Sequence, residues 1–88
     1  MNLNLNDHHL ELEYPCMWNF KIIGPDAMAL RAAVTAIVVD RRHSLAVSHR
    51  STGSKYVSMT LDLKVTSDED RHAIFHALKR HYAVKMVL

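Results

Sequence analysis

Between Val57 and Val65 the chain reads VSMTLDLKV, apolar and polar residues alternating without a break. A period of two is the mark of a half-buried strand, so Val57, Met59, Leu61, Leu63 and Val65 are predicted to face a core. Tyr56, Ser58, Thr60, Asp62 and Lys64 fall on the other side. Upstream, MWNFKII sets Trp18, Phe20 and Ile22 against Met17, Asn19, Lys21 and Ile23, a strand rich in aromatic and β-branched residues. Gly24 and Pro25 stop it, and Asp26 stands where a helix N-cap is needed. From Ala27 to Asp40 the residues Ala27, Leu30, Ala33, Val34, Ile37 and Val38 share one helical face. SLAVSH predicts a second strand with Leu45 and Val47 on one side, and STGS at 51–54 supplies a hairpin turn.

Ser67 with Asp70 three residues on resembles a capping box, opening a helix to about His81 that buries Ile74, Ala77, Leu78 and Phe75. AVKMVL then forms a last strand with Val84, Met86 and Leu88 directed inward. The order βαββαβ predicts an α+β, ferredoxin-like two-layer sandwich, a four-stranded antiparallel sheet with both helices on one face. Residues 1–13 alternate leucine with Asn, His and Glu before Tyr14 and Pro15. They are expected to form an N-terminal arm, with Leu3, Leu5, Leu10 and Leu12 available to lie back on a single domain spanning 14–88.

Composition narrows the class. A chain of 88 residues buries only about 60–65% of its unfolded surface and does not divide that between two cores. Its 49% apolar and 23% charged residues suit a folded, soluble domain. No apolar run approaches the roughly 20 residues that span a bilayer, and the first residues lack a signal-peptide pattern, so a cytoplasmic protein without membrane contact is expected. Cys16 is the single cysteine and forms no internal disulfide. The formal charge of +2 does not by itself imply nucleic acid, although seven histidines make the charge sensitive to pH.

Three ordered stretches resemble one family. YPCMWNFKIIG carries an aromatic-Pro pair leading to a strand with Lys and a closing Gly, at Tyr14, Pro15, Lys21 and Gly24. STGSKYVSMT carries Ser51, Gly53, Tyr56, Ser58 and Thr60, and the last stretch is VKMVL. Together these resemble the YbeD-like family of small bacterial proteins of unknown function, over Tyr14 to Leu88. The resemblance implies a ferredoxin-like fold close to the ACT-type regulatory domains, brings no catalytic residues, and hints at a link with lipoate metabolism. Cys16 and Met17 depart from the small or proline residues of that family.

Candidate chemistry is sparse. His72 and His76 have the i, i+4 spacing of two metal ligands, but Ile74 and Leu78 define the buried direction and turn both histidines outward, with no third ligand nearby in sequence. Cys16 lacks a base in any recognisable spacing. Asp68, Glu69 and Asp70 crowd the first turn of a helix, where negative charge is favourable for structural reasons alone. No enzyme activity, metal or cofactor is expected. RNA binding through the open sheet face is the alternative class, with Lys21, Tyr56 and Lys85 as contacts, but one aromatic makes a poor stacking platform and nucleic acid is disfavoured.

What remains is a binding or regulatory module, engaging a protein partner, a second copy or a small effector. Fold analogy with ACT-like domains places the effector at the loop Gly24, Pro25 and Asp26. The first helix carries Met28, Ala32 and Val39 on its outward side, an excess of apolar surface that either the arm or another chain would cover. Arg41, Arg42 and His43 end the first helix and Lys79, Arg80 and His81 the second, and these are expected to collect at one end of the molecule, either compensating helix dipoles or forming a rim for an acidic partner.

Overall fold

The computed structural model describes residues 12–50 and 55–88, without the side chains of 49–50. Its elements are β1 (Cys16–Gly24), α1 (Ala27–Val38), β2 (His43–Arg50), β3 (Val57–Val65), α2 (Asp68–Arg80) and β4 (Met86–Val87). They form one antiparallel sheet in the order β2-β3-β1-β4, which is the expected ferredoxin-like arrangement. Residues 1–11 of the expected 1–13 arm and the turn at 51–54 lie outside the described residues.

β1 and β3 pair along their whole length, and the register brings Phe20 opposite Leu61 and Ile22 opposite Met59. Strand side chains alternate, so this single register sends Phe20, Ile22, Met59, Leu61, Leu63 and Val65 together under the helices, where all are buried. β2 completes that side with Leu45 opposite Leu61 and Val47 opposite Met59, and a bulge between Val47 and His49 absorbs Ser48. Leu30, Ala33, Val34 and Val38 of α1 close the core from above, with Ile74 and Leu78 of α2.

Each helix is capped as its sequence suggests. Asp26 Oδ1 accepts from the Met28 amide at 3.0 Å, and Ser67 Oγ accepts from the Asp70 amide at 3.0 Å. The second half of the capping box is absent, because the Asp70 carboxylate turns to Thr66 and Arg41 instead of reaching back to Ser67. Val39, just past α1, has φ 55. That left-handed conformation is strained for a β-branched residue, and it directs the chain into Arg41 and Arg42.

Two expectations are corrected. First, the last strand does not face Val84, Met86 and Leu88 inward together. The chain leaves α2 through a turn in which the Val84 amide bonds to the His81 carbonyl at 3.0 Å, and this turn itself buries Ala83 and Val84. Pairing with β1 therefore begins only at Lys85, whose amide donates to the Ile23 carbonyl at 2.7 Å. The register opposes Val87 to Ile22, so Val87 packs on the core while Met86 and Leu88 are 50% and 66% exposed. By the same alternation Lys85 is not on the open sheet face.

Second, the two helices are antiparallel, so their basic ends do not meet. β1 and β3 run in opposite directions and each is followed by a helix that returns across the sheet, which forces the helices to oppose one another. Arg41, after α1, consequently reaches Asp70 in the first turn of α2. Lys79 and Arg80 lie at the other end of the molecule, beside the start of α1.

Candidate functional site

The antiparallel helices bring opposite charges together. Arg41 forks onto Asp70, Nη1 to Oδ1 at 3.0 Å and Nη2 to Oδ2 at 2.6 Å, and Nη2 also donates to the Lys64 carbonyl at 3.2 Å. One side chain thus ties the α1–β2 connection to both α2 and β3. The Arg41 hydrogen bonds, aided by the Thr66 amide, hold the Asp70 carboxyl below its ordinary range. A lowered folded value means that this stabilisation is complete above the ordinary carboxylate range and is lost as pH falls through the folded value. Asp70→Asn is expected to lower stability near neutral pH by about 1–2 kcal/mol, after allowance for partial exposure, and to flatten the acid limb of a stability profile measured by urea unfolding.

Beyond Arg41 the chain enters β2, where Ser44 joins the open face of the sheet opposite Asp62 and His43 falls opposite Leu63. That face carries Met17, Asn19, Lys21 and Ile23 from β1 and Ser58, Thr60, Asp62 and Lys64 from β3, in register across the pair. At the end where α1 passes into β2, a depression of about 590 Å3 opens, floored by Met17, Asp62 and Lys64 and walled by Arg42, His43 and Ser44. The His43 Nδ1 lies 2.9 Å from the Arg41 carbonyl, a contact that requires Nδ1 to carry the proton and leaves Nε2 for other company.

A smaller groove of about 290 Å3 runs along α2 beside β1, between Trp18, Phe20 and Phe75. The Arg71 guanidinium lies 4.7 Å from the Trp18 ring centroid, and its Nε donates to the Tyr14 hydroxyl at 3.4 Å. That hydroxyl in turn donates to Asp68, which keeps the Asp68 carboxyl below its ordinary range. Tyr14 is thereby fastened to the first turn of α2. These contacts are structural: they dock the start of β1 on the helix layer.

The remaining candidate positions disperse. A Cβ on Gly24 would sit 2.4 Å from the Ala83 carbonyl oxygen and 2.8 Å from Leu30 Cδ2. Gly24 is therefore required by close packing against α1 and the turn before β4, and the Asp26 carboxylate caps α1. Met28, Ala32 and Val39 are exposed on the outer side of α1, as their spacing implies, but Arg42 belongs to the sheet depression and Lys79 and Arg80 to the far end. Lys21 is central on the open face, opposite Thr60, whereas Tyr56 precedes β3 at the end remote from the depression. His72 and His76 are both exposed. Among the described residues no group of three or more His, Cys, Asp or Glu side chains is placed to hold a metal.

A family described as "Protein of unknown function (DUF493)" has a sequence profile that matches residues 9–88. The chain belongs to the DUF493 family. It is 30% identical over 82 residues to the UPF0250 protein of Hahella chejuensis, covering 89% of this chain and 90% of that one. It is also 30% identical over 89 residues to the UPF0250 protein of Chromobacterium violaceum, covering 96% and 100%. These are the YbeD-like proteins that the stretches at Tyr14, Ser51 and Val84 resemble. Two solution structures of HP0495 from Helicobacter pylori share the DUF493 chain's fold. One has a TM-score of 0.79 at 19% identity over 100% of this chain and 97% of that one. The other has a TM-score of 0.63 at 21% identity, over 85% and 87%.

The depression and the groove are what this DUF493 chain offers as candidate sites among the described residues. Sequence reasoning named Arg41 and Arg42 and set Met17, Asp62 and Lys64 on the outward sides of their strands, but did not join the two groups, which only the β1–β3 register and the α1–β2 turn bring together.

Proposed function

We propose that this DUF493 domain is a non-catalytic protein-binding module that docks through its open sheet face. The observation that supports it is the exposure of Met17 and Met86, 62% and 50% accessible on the side of the sheet that the helices leave bare. Around them stand Asn19, Lys21 and Thr60, giving apolar anchors within a polar surround, the composition of a transient docking surface. A regulatory role in the cytoplasm is part of this reading. Proteins of lipoate attachment are the first partners to test, a choice that rests on the YbeD-like resemblance.

The experiment is capture of partners from the extract of the native host by tagged protein, with bound protein and nucleic acid both identified. A stoichiometric protein partner is expected, lost in Met86→Glu and retained in Met28→Glu, since Met28 lies on the helix side. Both side chains are largely exposed, so each variant is expected to keep its stability within about 0.5 kcal/mol. Loss of the partner in Met28→Glu alone would move docking to α1. Recovery of RNA alone, falling away as salt rises, would replace this reading with nucleic-acid binding.

A further inference from the structure

The depression at the α1–β2 end of the open face has an uneven distribution of charge. Two ion pairs form among the described residues, Arg41 with Asp70 and Arg71 with Asp68. Arg42 and Lys64, both exposed and both lining the depression, take part in neither. The backbone at Arg42 follows directly on Arg41, whose guanidinium bonds to three acceptor atoms on α2 and β3. Lys64 is held by the central strand, opposite Met17 on β1. Two cations therefore stand in one lining with a thioether, with Asp62 as its single carboxylate and Ser44 as a hydroxyl donor, the Thr66 hydroxyl already donating to Asp70.

We propose that this depression seats an acidic side chain of a docking polypeptide, with a neighbouring apolar side chain lying on Met17. The inference rests on the open face being a docking surface, and adds the chemistry of what it receives. The carboxylate is drawn to Arg42 and Lys64, and the stem beside it covers Met17 instead of water. Asp62 sets the selectivity. It stands on the same strand face as Lys64, two residues away, or about 7 Å, so it repels a compact dianion such as phosphate more than a single carboxylate. The same carboxylate can accept a backbone N–H of the incoming chain. A peptide that alternates acidic and apolar residues matches this pattern.

The test uses the full chain labelled with 15N and titrated, at constant ionic strength, with acetyl-Leu-Glu-Leu-Glu-amide, its Gln counterpart and sodium sulfate. The acidic peptide is expected to shift the amides of Met17, Ser44 and Lys64, with a dissociation constant on the order of 1 mM. Arg42→Gln with Lys64→Gln should weaken it about tenfold, as the removal of two exposed charge contacts implies. Their exposed side chains leave the fold intact, which the amide spectrum itself reports. Equal shifts from the Gln peptide, equal shifts from sulfate, or shifts centred on Lys79 and Arg80 would each overturn the proposal. Capture of a protein partner that is lost in Met86→Glu but unchanged in the double variant would overturn it while leaving the docking face standing. Peptide binding at these amides with no protein partner in extract would sustain the site and overturn the wider reading.

Discussion

Replacing Leu61 by alanine is expected to destabilise the domain by about 2–5 kcal/mol. Leu61 is inaccessible to solvent and sits mid-sheet, opposite Phe20 on β1 and Leu45 on β2. Its side chain touches the core on every side, so truncation leaves a cavity whose walls, held by two strand ladders, have little freedom to collapse. A domain of this size has a total stability on the order of 5–15 kcal/mol, and the loss is a large part of it. Urea unfolding should show the midpoint falling with little change in slope. A loss below about 0.5 kcal/mol, the range of an exposed substitution, would contradict the β1–β3 register itself.

Gly24→Ala is the second large effect, and it arises from too much volume instead of too little. The added methyl would meet the Ala83 carbonyl oxygen at 2.4 Å and Leu30 Cδ2 at 2.8 Å. Leu30 can turn aside, but the carbonyl is backbone and belongs to the turn that feeds β4. The turn must shift, carrying Lys85 away from its bond to Ile23. Overpacking typically costs about 1–3 kcal/mol, and a backbone clash places this substitution at or above the upper end. Thermal unfolding together with amide exchange at Lys85 and Leu88 checks it: lower stability with faster exchange at both amides is expected, and unchanged exchange at those positions would show that the turn is not what yields.

These two positions also mark how far the chain could be read without coordinates. Leu61 was legible because strict alternation leaves one possible buried side, and the same logic correctly placed Trp18, Phe20 and Ile22 on the helix side of β1. The cap at Ser67 was legible for a local reason, since its partner amide is only three residues away. β4 was not, because a turn stabilised by His81 consumes residues that a pattern of alternating valines and methionines assigns to a strand. The site failed to emerge for a longer-range reason. Nothing within a few residues of Arg42 indicates Lys64 or Met17. Their meeting depends on strand pairing across the sheet and on the opposed helices, a consequence of topology that a count of basic residues at helix ends overlooks.

Trp18 is the only tryptophan of the chain, and it lies on β1 beneath Arg71 of α2. Its indole is consequently a built-in optical reporter. Emission and quencher access from this one ring follow the seating of the second helix on the sheet, with no second fluorophore of its kind to subtract. Because Trp18 is on the helix side and the depression around Met17 opens on the other, ligand binding at the face and loosening of the core are expected to give separable signals, the first in the amide spectrum and the second in the emission of unlabelled protein.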